Sequence, residues 1–155
     1  MQLDLRALLP RLLPRAIAWA EAVAADVALR GTALNAPGSV IASAAGVQRP
    51  DDIRVLMVDH LPLPPDPELR AAAVQTGLLG PTMAGLTLGH SILIRQGNMS
   101  RGLLAHECRH VFQYERAGSI AAFFPAYLAS IVQVGYWDCP FEQDARASER
   151  WDARS

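Results

Sequence analysis

The sequence predicts an α+β domain in which helix predominates and a small mixed or antiparallel sheet packs against several helices. Three observations predict it. Stretches with helical apolar spacing lie toward both ends of the chain, two short runs rich in β-branched and aliphatic residues lie between them, and turn-forming residues separate one from the next. With 155 residues, 51% of them hydrophobic, the chain suits one compact domain spanning 1–155. Its expected core runs from about residue 53 to 152, joined by an N-terminal helix at about 12–30.

From Leu12 to Arg30, Leu12, Ile17, Trp19, Val23, Val27 and Leu29 recur among helix-favouring alanines, so an amphipathic helix is expected, with Pro14 near its start. Between Gly31 and Pro50 the Gly, Pro, Asn and Ser content rises, which predicts a loop with at most a short helical piece. Ile53 to Val58 reads as a strand, and the following Asp59, His60 and proline-rich LPLPPDP can continue neither a ladder nor a helix. Glu68 to Leu79 has helical character, ended by Gly80-Pro81. Gly85 to Arg95 reads as a strand or bent strand, with Gly89 permitting a bulge. Ser100 is a plausible N-cap for a helix over Arg101–Arg116, and Gly118 suits its end. A second apolar helix is expected within Ser119–Val134, and a last one from Pro140 or Phe141 toward Trp151.

Composition removes several function classes. Fourteen basic against 15 acidic residues leave a formal charge of −1, so no positive field is available to concentrate nucleic acid. All the basic residues are Arg; without Lys, neither a Schiff base nor the lysine of a phosphate-cradling loop can form. Charges at Asp4, Arg6, Arg11, Arg15 and Glu21 interrupt the first 25 residues, so no cleaved signal is expected. Cys108 and Cys139 are too few and too far apart for a disulfide scaffold or a cysteine zinc site, and they suit a reducing compartment. Gly118 to Trp137 carries no charged side chain and meets the length of a membrane span, yet it equally suits a buried helix and connector. The chain is therefore expected to be cytoplasmic, with membrane association as the alternative.

The residues that carry chemistry are His106-Glu107-Cys108-Arg109-His110, an HExxH pattern. On a helix its histidines are separated by about 400° of rotation, hence nearly aligned one turn apart. Both imidazoles can face one ion, and zinc accepts neutral imidazole nitrogens while three protein ligands leave a fourth position for water. Glu107 would lie beside that position. Leu103, Leu104, Val111 and Phe112 surround the motif with core-forming residues. A third ligand must come from elsewhere: Glu115 lies about 140° around the helix from His110 and cannot reach the same ion. Glu142, opening a helix after a connector long enough to reverse the chain, is the leading candidate; its plainer reading is a carboxylate favoured by the helix dipole. Asp144 lies about 200° around from it, so only one of the two can face the histidines.

These residues resemble the gluzincin metallopeptidases, in which HExxH is followed by a glutamate ligand on a later helix in a Glu-x-x-Ala-Asp setting. Glu142-Gln143-Asp144-Ala145 matches through the small residue, and Arg146 stands where the family has Asp. The resemblance implies that Glu142 is the third ligand, and that another group, Asp144 or a backbone carbonyl, orients a zinc histidine in place of that Asp. His110-Val111-Phe112-Gln113 is similar to small bacterial zincin domains in which Gln follows the second histidine by three positions. That resemblance covers about residues 86–150 and implies a compact zincin-like domain with a hydrophobic helix and a Gly-Tyr turn before the ligand helix. Tyr136 lies at that turn and would stabilise an oxyanion, as tyrosines do in several zincins; the plainer reading is packing against Trp137. His90 would sit beside the cleft or serve the structure, Tyr114 would line the same helix face, and Cys108 would be a core residue.

The expected function is hydrolysis of a peptide or protein substrate with Zn²⁺ as cofactor: zinc acidifies a water, Glu107 takes its proton, and the amide carbonyl is attacked. The rivals are a non-catalytic zinc-binding or interaction domain derived from a zincin, and a membrane-associated peptidase using 118–137 as anchor.

Overall fold

The computed structural model describes residues 2–152, with side chains to residue 150. Its elements in order are α1 (Leu5–Arg30), α2 (Ala36–Ala44), β1 (Arg54–Val58), α3 (Pro67–Gln75), β2 (Gly85–Leu88), β3 (Ser91–Arg95), α4 (Arg101–Ala117), α5 (Ile120–Asp138) and α6 (Pro140–Asp152). The architecture is α+β, mostly helical, with one three-stranded sheet of order β1-β3-β2. The sheet is mixed: β1 runs parallel to β3, pairing Arg54 with Ser91 through Val58 with Arg95, and β2 runs antiparallel to β3, pairing Gly85 with Ile94 through Leu88 with Ser91.

Three elements differ from the sequence expectation, each for a local reason. Helix α1 begins at Leu5 instead of Leu12, because Asp4 caps it by accepting the Ala7 N–H at 3.3 Å. Pro10 and Pro14 lie inside the helix, both on its exposed face, where the carbonyls they leave without an N–H partner meet solvent. The helix also belongs to the core, to which it contributes Leu12, Ala16 and Ala20. Helix α3 stops at Gln75, short of Leu79, since Gly77 adopts φ +78 and turns Leu78 and Leu79 out of the helical path. The segment 85–95 is a hairpin instead of one bent strand: Gly89, at φ +67, is the first residue of a two-residue connection.

Helix α4 matches its expected limits within a residue. Ser100 Oγ accepts the Leu103 N–H at 3.0 Å, and Gly118, at φ +108, returns its N–H to Tyr114 at 2.8 Å. It carries two buried faces. Leu104, Cys108 and Val111 enter a core with Ala42 from α2, Ile53 just before β1, and Ile92 and Ile94 from β3. His106, His110, Gln113 and Tyr114, at the spacing of the opposite face, look toward α5 and α6.

Helix α5 buries Ile120, Phe123, Phe124, Tyr127 and Ile131, a stripe at i, i+3, i+4, i+7 and i+11, against α1 and α4. Among the described residues α5 is the one helix long and apolar enough to cross a membrane, and 28% of that stretch is buried inside the protein. Gly135, at φ 85 and ψ 165, kinks the chain just before Tyr136, and α6 then doubles back against α4. That reversal sets Glu142 opposite the two histidines.

Candidate metal centre

His106 and His110 project from one face of α4 with ring centroids 5.0 Å apart, and Glu142 approaches them from the first turn of α6. All three residues are buried, and one potential ligand atom from each lies within 4.8 Å of the others. His106 Nε2 is 3.3 Å from Glu142 Oε1, and His110 Nε2 is 3.1 Å from Oε2. Asp144 faces away, joined to Arg109 at 2.8 Å. Of the two carboxylates on α6, Glu142 and not Asp144 is therefore the one that lies against the histidines.

The outer nitrogens fix how these rings are protonated. Gln113 Nε2 donates to Phe141 O at 2.9 Å and to Asp144 Oδ2 at 3.0 Å, so its amide oxygen must face His110. That oxygen lies 2.7 Å from Nδ1, which satisfies the contact only as an N–H donor. On the other ring, Nδ1 of His106 lies 3.1 Å from a Glu149 carboxylate oxygen, again an acceptor. In neutral rings both Nε2 atoms are then bare lone pairs directed at a third lone-pair bearer, the Glu142 carboxylate.

Three electron-pair donors facing one another need a cation or additional protons between them. Two imidazoles and a carboxylate are a donor set that zinc accepts. Bonds of about 2.0–2.1 Å at tetrahedral angles require ligand atoms about 3.3–3.4 Å apart, close to the separations to Glu142. The residues thus fit a zinc ion. Without a cation, protons take its place: burial opposes charging His110, yet the hydrogen bond and charge of Glu142, with the charge of Glu107, raise it to about 9. Burial likewise pushes Glu142 upward, but hydrogen bonds from His106, His110 and Tyr127 hold it well below the usual carboxylate range.

Glu107 takes no part in this trio. It is buried, accepts from Thr87 Oγ1 at 2.8 Å, and has its carboxyl raised above the usual range by desolvation, an effect His110 and His106 partly oppose. Strand β2 makes room for it: a Cβ at Gly85 would stand 2.9 Å from Oε2 and 3.1 Å from Cδ of Glu107. Gly85 and Thr87, two residues apart on one strand face, thus bracket the same carboxylate.

Tyr136, half-buried, lines the same cavity as His106, Glu107 and Glu142. Burial, followed by the charge and hydrogen bonding of Glu142, pushes its hydroxyl well above the ordinary range. His90 stands apart from the trio, 2.9 Å from Glu115, whose carboxylate also accepts the backbone N–H groups of Gln48 and Arg49. Both residues tie the hairpin and the loop after α2 to α4. Cys108 is fully buried in the core behind α4. Tyr114 lines the cavity and donates to Thr87 O at 3.0 Å. Arg146 lies over the Trp137 ring at 4.0 Å, outside the trio's hydrogen bonds.

Sequence reasoning missed Tyr127, which donates to Glu142 Oε2 at 2.6 Å, and also Thr87 and Glu149. Glu149 had a legible signal, lying seven positions after Glu142 on the same face of α6. Asp144, which with a backbone carbonyl was one of the two alternatives for orienting a zinc histidine, reaches His110 through Gln113. Tyr127 and Thr87 had no local signal, since each arrives from a different element by tertiary packing. No family model matches the chain, and comparisons with curated proteins and with solved structures find no similar protein.

Proposed function

We propose that this chain is a zinc-dependent hydrolase of the gluzincin kind, in which His106, His110 and Glu142 hold the ion and Glu107 is the general base for cleavage of an amide bond in a peptide or protein substrate. The observation that carries the reading is the buried Glu107, which is held by Thr87 beside the three donors without joining them. A purely structural zinc site closes its shell with a fourth protein ligand and has no use for a free carboxylate at its edge. When bound, zinc supplies a Lewis acid that polarises a carbonyl and makes a neighbouring water more acidic. Glu107 accepts the proton of the attacking water and passes it to the amide nitrogen as the C–N bond breaks. Its raised affinity for protons, caused by burial, suits both halves of that transfer. The Tyr136 hydroxyl, kept protonated by burial and by Glu142, donates toward the carbonyl oxygen as charge develops there. A cytoplasmic setting goes with this reading; Tyr127, through which α5 acts as an inner wall of the site, favours it over the reading in which 118–137 is an anchor.

Glu107→Gln tests the reading, because the amide keeps the shape of the side chain and cannot take the proton. With a broad peptide library and mass-spectrometric readout, the variant should bind zinc as the wild type does and cleave nothing. Cleavage surviving in the variant would remove Glu107 as base. A zinc-loaded wild type that cleaves no peptide or other amide would point to the zinc-binding domain without turnover.

A further inference from the structure

The three donors and Glu107 lie at one end of a cavity of about 110 Å³ that opens to solvent at its mouth. Its opposite wall is α1, which presents Leu5, Leu9, Leu12, Ala16 and Trp19 to it, a single helical stripe at successive intervals of four and three residues. From Leu5 to Trp19 that stripe follows about 21 Å of helix axis. Helices α3 and α5 close the sides with aliphatic and aromatic residues such as Leu69 and Ile131. The space is therefore long, apolar and polar only at one end.

The distribution of polar groups is the informative feature. Away from the site's own residues, the polar groups among the described lining side chains are the Trp19 indole N–H and the Thr76 hydroxyl, and the latter already donates to Ala73 O at 3.0 Å. An extended peptide laid along α1 would bring a backbone N–H and C=O with every residue and find few side-chain partners for them, a cost incurred at each unpaired group. A hydrocarbon chain makes no such demand.

We propose that the ligand of this site is an aliphatic amphiphile: an acyl amide whose hydrocarbon chain lies along α1 while its carbonyl group stands at His106, Glu107, His110 and Glu142. The inference rests on the hydrolase reading for the fate of the carbonyl group; it keeps the amide bond of that reading and puts a long acyl chain in place of the peptide on the acyl side. It does not rest on that reading for the chain itself, since the apolar walls bind hydrocarbon with or without a metal.

The test separates the two. Calorimetric titration of the metal-free full chain with the series from 1-butanol to 1-dodecanol should show affinity rising about fourfold per methylene, with a negative heat-capacity change, until the cavity is filled. Ala16→Phe, which fills the α1 wall, should shorten the chain length at which affinity levels off; Ala72→Met provides the same probe from α3 with a more adaptable side chain. Affinity independent of chain length, or a plateau that neither folded variant moves, overturns the proposal. A second arm titrates zinc-loaded protein with n-alkyl hydroxamates and with a trileucine hydroxamate. The dodecyl compound should bind at least about tenfold more tightly than the peptide, and the reverse order also overturns the proposal. Failure to bind zinc at all, with the alkanol series still rising, would refute the hydrolase reading and leave the aliphatic site standing.

Discussion

The substitution Gln113→Leu tests the arrangement of the centre through a residue that never touches the ion. In the wild type the Gln113 amide nitrogen is committed to Phe141 O and Asp144, which turns its oxygen to His110 Nδ1 at 2.7 Å and leaves Nε2 free. A leucine side chain at this position supplies no acceptor. Nδ1–H would then be a buried donor without a partner, at about 1–3 kcal/mol, and the neutral ring avoids that cost by moving its proton to Nε2, where Glu142 accepts it. Zinc must now displace a hydrogen-bonded proton from the very atom it needs. The expected loss of affinity is about 10–100-fold, or about 1.4–2.7 kcal/mol. At about pH 10, above the value of about 9 to which Glu142 raises the metal-free His110 and where the ring is neutral, chelator competition measures it, and long-range ¹H–¹⁵N spectra of the metal-free protein read the tautomer directly, Nδ1–H in the wild type and Nε2–H in the variant. Unchanged zinc affinity in a folded variant would refute the reasoning, as would an unchanged ring tautomer.

Glu142→Ala should weaken zinc binding by at least about 100-fold and Asp144→Ala by no more than about tenfold, because the first removes a donor and the second only loosens Gln113 and Arg109; chelator competition giving the reverse order would move the ligand. Burial pushes the Cys108 thiol up to about 12, so about one molecule in 10⁴ carries a thiolate at pH 8, and a disulfide reagent should leave Cys108 untouched until the chain is unfolded. Burial also pushes Glu115 upward, but hydrogen bonds from Gln48 N–H, His90 and Arg49 N–H prevail and hold it below its ordinary value. Its folded pKa is thus depressed, so its contribution is present at neutral pH and is lost as the pH falls below about 4, through the folded value. Thermal unfolding of Glu115→Gln in the presence of chelator should accordingly fall less between about pH 6 and about pH 3 than that of the wild type.

What could be read in advance was local. Helix α4 was legible to a residue because its cap, its apolar spacing and its terminating glycine are all contained in 100–118. Helical angles exclude Glu115 and let only one of Glu142 and Asp144 face the histidines, and the resemblance to the gluzincin pattern through Ala145 selects Glu142. The start of α1 was obscured by Pro10 and Pro14, which ordinarily end helices and are tolerated here on a face turned to solvent. The hairpin at Gly89 was blurred because the aliphatic run continues across the turn with little polar punctuation. The residues that position Glu107 and Glu142, namely Thr87 on β2 and Tyr127 on α5, are determined by how elements pack, and no spacing within either segment encodes them. The apolar cavity is a property of the same packing: the stripe on α1 is visible in the sequence, but nothing within it shows that these core residues also line a cavity shared with the histidines.

The approach of Gly85 to Glu107 also has a meaning for descent. A methyl group at position 85 would meet a carboxylate oxygen at 2.9 Å, so this is a position where drift is closed for as long as the carboxylate keeps its place. Its neighbour Leu86 faces no such bar. Any lineage that retains this carboxylate should retain glycine at 85, with a hydroxyl-bearing residue two places on, even after the surrounding aliphatic residues have turned over. A descendant that has kept the helices and abandoned Glu107 is free to accept larger residues there, and that substitution would mark the divergence before the histidines themselves were lost.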